Sequence, residues 1–75
     1  MAITFQKGEY EYNIEKRKEN WYQISIIKNH YVLCVFDYFI KNNKPKIKCY
    51  PQQAKLISEH ISSIQKYIEF LDGGK

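Results

Sequence analysis

The chemistry this sequence can offer lies in its cations and its flat side chains. Lys28, Lys41, Lys44, Lys46 and Lys48 gather around two loop-like stretches and the short run before Pro51, and Lys16, Arg17 and Lys18 form a separate basic triplet. Trp21, Tyr31, Phe39 and Tyr50 are the aromatic residues that strand alternation brings to the same side as these cations. Cations that track phosphates, interleaved with rings on which bases stack, are what a single-stranded nucleic acid needs from a protein, and each stacked base contributes ~1–3 kcal/mol. Arg17 is the one arginine of the set. Lysines read base edges poorly, so the expectation is affinity with little sequence preference. The same residues also fit a plainer arrangement, with Tyr31 and Phe39 in the core and the lysines as a solvated rim.

Other chemistries find less support. His30, His60, Cys34 and Cys49 are zinc-ligand types, but their spacing matches no zinc signature. Asp37 sits in an apolar run with no base or nucleophile nearby in the pattern. Glu9, Glu11 and Glu15 follow the period of one strand face, which reads as a solvated acidic face rather than a metal site. No enzyme assembles from these residues, and neither a metal nor a cofactor is implied.

Charge is unevenly distributed. The net +4 conceals an acidic start, a neutral end, and a middle, residues 16–48, where eight basic residues face only Glu19 and Asp37. A polyanion-binding face is built in this way. Seventy-five residues suit a single domain, 1–75, that buries only about 60% of its unfolded surface and gains from dimerisation. Both cysteines lie in strand-like apolar runs and nothing resembles a signal peptide, so reduced core thiols in a cytoplasmic protein are expected. No apolar run approaches the ~20 residues of a membrane span, and no membrane partner is expected.

The elements that must position these residues follow from periodicity. Residues 9–15 alternate, with Tyr10, Tyr12 and Ile14 opposite the glutamates; residues 21–27 alternate through Tyr22, Ile24 and Ile26. Residues 31–40 form the most strand-like run, apolar on both faces apart from Asp37, and 46–50 is a short strand with Ile47 and Cys49 inward. Ile3 and Phe5 fit either an edge strand or loose packing. From Pro51 to Leu71, Ala54, Ile57, Ile61, Ile64, Ile68 and Leu71 recur at helical spacing, and Asp72-Gly73-Gly74 provides a stop. The predicted fold is α+β, a four-stranded antiparallel meander covered by one C-terminal helix over 51–71. A second partial stripe of Leu56, His60, Tyr67 and Phe70 exceeds what one small sheet needs. It points to a homodimer with Leu56, His60, Ile64, Tyr67 and Ile68 at the interface, although a helix that serves only its own core also fits.

The second half of the chain resembles the PC4-like family of single-stranded-DNA-binding transcriptional coactivators and their bacterial and phage relatives. Tyr31-Val32-Leu33-Cys34-Val35-Phe36-Asp37-Tyr38-Phe39 is similar to the family's central strand. Lys44-Pro45 is similar to the Lys-Pro before its last strand. Ile47-Lys48-Cys49-Tyr50-Pro51-Gln52-Gln53 resembles its strand-to-helix junction, and Ile57, Glu59, Ile61, Ser62 and Ile64 continue in register with its helix. Asp37 stands where the family usually has an arginine, Ile40 where it has a tryptophan, and Tyr50 where an asparagine caps the helix. The run from Trp21 to Ile27 alternates one residue out of step with the family. The resemblance implies a homodimer with paired helices and final strands, and a curved sheet whose open face holds single-stranded DNA.

Two functions follow as expectations. The first is non-enzymatic binding of single-stranded or locally melted nucleic acid, DNA rather than RNA, in replication or transcription. The second uses the same fold as a phage-type interaction module or anti-defence inhibitor that docks on a host protein or its nucleic-acid complex, with the Glu9/Glu11/Glu15 face as its contact.

Overall fold

The computed structural model describes residues 2–72. Five strands, β1 (Ala2–Lys7), β2 (Tyr10–Lys18), β3 (Trp21–Lys28), β4 (Tyr31–Lys41) and β5 (Lys44–Lys48), form one antiparallel meander in sequence order. A 3-10 turn, Pro51–Gln53, leads into a single helix, α1 (Ala54–Leu71), which lies on one face of the sheet. The fold is α+β, a sheet followed by a C-terminal helix.

The sheet has five strands where the sequence predicts four. Ile3 and Phe5 belong to β1, which pairs with β2 along its whole length from Ala2↔Glu15 to Lys7↔Tyr10. Boundaries move for local reasons. Strand β2 continues through Lys18 because Glu19-Asn20 completes the turn to β3, with Asn20 at φ 62°. Asn42 and Asn43 both take positive φ, 56° and 63°, and close β4 onto β5 as a two-residue hairpin. Strand β5 therefore starts at Lys44 and ends at Lys48, earlier than the predicted 46–50. Pro45 is tolerated because β5 is an edge strand. Tyr50, held extended by the proline after it, already lies outside the sheet. Of the predicted helix stop, Asp72 caps α1 through its N–H to the Ile68 carbonyl, 3.0 Å; Gly73 and Gly74 lie outside the described residues.

Alternation decides the core. Tyr12, Ile14, Tyr22, Ile24, Ile26, Cys34, Phe36 and Tyr38 project from the sheet to meet Ile57, Ile64 and Ile68 of α1. Two residues expected at a dimer interface are thus core: Ile64 is 0% and Ile68 3% exposed within a single chain. The second helix stripe also has partners at home, Tyr67 on β1, where Ile3 and Phe5 do form an edge strand, and His60 on β2. Tyr67 stacks on Phe5 of β1, with centroids 4.2 Å apart. His60 Nδ1 is hydrogen-bonded to the Tyr12 hydroxyl at 2.5 Å, and its ring centroid lies 4.4 Å from that of Tyr10. Leu56 packs partly buried against the same core, whereas Phe70 stays 67% exposed.

The His60–Tyr12 contact gives a pH prediction. Burial lowers the His60 pKa, Lys7 acts in the same direction, and Glu59 opposes them. The folded state therefore prefers neutral imidazole more than the unfolded chain does. Stability is fully present above the unfolded value of about 6.5 and is lost as pH falls from there towards the lowered folded value. Thermal melts between pH 7 and 5.5 should show this decline, and His60→Gln should remove it from that window. An unchanged decline in His60→Gln would assign it to other groups.

Candidate nucleic-acid interface

Directly paired residues of an antiparallel sheet share a face, so the register defines what the open face, opposite α1, presents. One row reads Lys18–Trp21–Phe39–Lys46 across β2, β3, β4 and β5. The next row reads Glu15–Gln23–Asp37–Lys48. Two aromatic residues thus lie side by side with a cation at each end. The Trp21 and Phe39 rings stack with centroids 5.7 Å apart and 17° between planes. Both are half-buried, which fixes them as a platform while leaving ring surface open.

A bulge supplies the cations at one end. The β2–β3 register slips between Lys16 and Lys18, so Arg17 is the extra residue. A bulge re-aims the side chains around it. Here Arg17 comes over the Trp21 ring, its guanidinium carbon 5.9 Å from the centroid, while Lys18 pairs directly with Trp21. At the other end Lys41 and Lys46 join Lys18, Trp21 and Phe39 around a shallow hollow of about 560 Å³. Lys44 pairs with Lys41 at the hairpin. Among the described residues, ion pairs join Lys16 to Glu19 and Asp72 and Arg17 to Glu15, and none involves Lys41, Lys44, Lys46 or Lys48. That edge keeps its charge available for an anion.

Asp37 stands two residues from Phe39, and its Oδ1 accepts from the Trp21 indole Nε1, 3.1 Å. The bond locks the indole and orients the carboxylate together. Beside it, pairing between β4 and β5 stops at Asp37↔Lys48. A cleft of about 260 Å³ opens there, lined by Gln23, Val35, Asp37, Lys48 and Tyr50 among others. Asp37 and Gln23 were not anticipated as site residues; the signal available was their place between Trp21 and Phe39 in the alternation.

The structure does not bring all twelve predicted contacts together. Trp21, Phe39, Arg17, Lys18, Lys41, Lys44, Lys46 and Lys48 share the open face, and Tyr50 lies at its β5 edge. Lys16 pairs with Tyr22, a core residue, and therefore points to the helix side, where it meets Asp72 at 3.4 Å. Asp72 also accepts the Tyr22 hydroxyl at 2.6 Å. Burial, reinforced by that bond, holds the Tyr22 hydroxyl far above its ordinary range. Lys28 pairs with Tyr10 and sits 5.2 Å over its ring, again on the helix side. Tyr31 lies opposite Lys28, so it too leaves the open face. The cause is a second slip, between Ile26 and Ile27, which makes Leu33 an extra residue in β4 and inverts alternation before it.

The acidic face is real but narrower than expected. Glu11 and Glu15 occupy β2 on the open side, Glu15 paired to Arg17 at 3.3 Å, while Glu9 lies in the turn after Gly8. On the open face β2 thus carries Glu11 and Glu15 beside Arg17 and Lys18, whereas the charged residues of β5 are all lysines. Both cysteines are free, and burial raises the Cys34 thiol pKa. No group of three or more metal-ligating side chains occurs among the described residues. No helix among them is long and apolar enough to cross a membrane. No protein-family model matches the chain, and neither a curated protein nor a solved structure matches it.

Proposed function

We propose that this protein binds single-stranded nucleic acid, without catalysis, on the open face of its sheet. The observation that carries the reading is the row Lys18–Trp21–Phe39–Lys46, two stacked rings between two cations, with Arg17 and Lys41 beside it. Unstacked bases can lie on Trp21 and Phe39, while their phosphates follow the unpaired lysines of β5. A duplex buries its base faces inside its own stack and gains nothing from the platform. The resemblance to the PC4-like coactivators favours DNA over RNA and a homodimer as the working unit. A second copy has apolar surface to meet near the start of β4, where Val32 and Leu33 are 59% and 43% exposed.

The same exposed run, together with Glu11 and Glu15, supports a second reading in which the sheet docks on a host protein. One experiment separates the two. Fluorescence anisotropy with labelled single-stranded and duplex oligonucleotides over a salt series should show preference for the single strand. Affinity should fall with a log–log slope near −0.7 for each phosphate contacted. Absence of single-strand binding at low salt would refute the nucleic-acid reading and leave the protein partner.

A further inference from the structure

We infer that the cleft beside the aromatic platform reads a guanine base, so that binding on the open face prefers strands containing guanine. This rests on the single-strand reading above and adds a specificity that its lysines alone do not give. The cleft lies where β5 peels away from β4, next to the row Gln23–Asp37–Lys48. It is one row from Trp21 and Phe39, as a base adjacent to a stacked neighbour requires. Val35 supplies an apolar wall and Tyr50, 68% exposed, an aromatic ring. Its volume of about 260 Å³ suits one base rather than a paired duplex.

The polar groups decide which base. A carboxylate accepts hydrogen bonds only and presents two oxygens with roughly four acceptor positions. Trp21 uses one position on Asp37 Oδ1 and holds the group in place. Guanine alone carries two adjacent donors on its pairing edge, the ring N1–H and the N2 amino group, which match two carboxylate oxygens. Adenine and cytosine set a ring acceptor beside their amino group, and that lone pair would face a carboxylate oxygen. Thymine offers one N–H between two carbonyls. Gln23, directly across from Asp37, can donate its amide to the guanine O6. Lys48, on the other side of Asp37, is free of ion pairs among the described residues and can take the following phosphate. Reading the pairing edges of splayed bases is how single strands are recognised in sequence.

The test is anisotropy on oligothymidine carrying one central guanine, adenine, cytosine or hypoxanthine. The guanine strand should bind about tenfold more tightly than the adenine, cytosine and all-thymine strands, the size of one good bidentate contact. Hypoxanthine, which lacks the N2 amine, should lose most of that gain. Asp37→Asn should erase the preference: its Oδ1 can still accept from the Trp21 indole, but an amide can no longer accept both guanine donors. Gln23→Ala, which spares the indole bond, should lower the ratio of guanine-strand to adenine-strand affinity, and covers the case in which Asp37→Asn disturbs the sheet. Equal binding of all strands, or a preference for cytosine or adenine, would overturn the inference while leaving single-strand binding intact. Free dGMP displacing the guanine strand at the strand's own affinity would overturn it as well. Failure of every strand to bind would instead remove the proposed function itself.

Discussion

Lys44→Glu and Lys46→Glu, combined with Lys48→Gln, should abolish single-strand binding at physiological salt while leaving the fold unchanged. All three lysines are exposed on the edge strand β5, and surface substitutions of this kind usually alter stability by no more than ~0.5 kcal/mol. Lys48 is neutralised rather than reversed because it stands directly opposite Asp37, and like charges across a ladder are destabilising. Binding suffers for two reasons. Loss of three phosphate contacts removes about 2 from the salt slope. The two glutamates then repel the backbone over the path it must take past Phe39, which pairs with Lys46. At low salt, residual binding through Arg17, Lys18 and the rings should persist, because that end of the row is untouched. The measurement is the same anisotropy series, with a thermal melt to show the sheet is intact. Undiminished binding would place the strand elsewhere. A protein partner that docks through Glu11 and Glu15 should be captured equally well by the variant, since those residues lie at the far side of the face.

The contrast between the two ends of that row shows what the sequence could express. Tyr10-Glu11-Tyr12-Asn13-Ile14 and Tyr22-Gln23-Ile24-Ser25-Ile26 alternate without interruption, so their faces were legible from the chain alone. The helix was legible too, because Ile57, Ile64 and Ile68 recur with its period. The bulges were not. An extra residue at Arg17 gathers two cations at Trp21, and one at Leu33 turns Tyr31 away, yet neither position carries a glycine or another local marker. Alternation counted back from Phe39 puts Tyr31 on the wrong face by one residue. Strand β1 was hidden for a different reason. Ile3 and Phe5 alternate over too few residues to define a strand, and only the partner surface of β2 settles their pairing. With Phe5 unplaced, Tyr67 lacks its stacking partner, whereas the partners of His60, Tyr10 and Tyr12, lie on a strand that alternation already gives. The surplus apolar stripe of α1 was legible; its destination was not.

Ile64→Ala tests that destination and carries the largest expected loss of stability. Ile64 is 0% exposed, one of three helix residues inside a core otherwise built by the sheet. Truncating a buried isoleucine to alanine removes transfer free energy and leaves a cavity, at a cost of ~2–5 kcal/mol. The total for a domain of this size is near the low end of ~5–15 kcal/mol. Melting should therefore fall by ~10 °C or more, and much of the protein should be unfolded at moderate denaturant. Ile64→Val, which deletes one methyl group, should cost only ~0.5–1.5 kcal/mol. Phe70→Ala should be close to neutral in the same melts, since most of its ring is in solvent. The loss in Ile64→Ala should be the same at low and high protein concentration, because the contact lies within one chain. A loss that shrinks as concentration rises would mean that Ile64 acts between subunits, since mass action rescues only an interface. A melt equal to that of the unaltered protein would remove α1 from the core altogether.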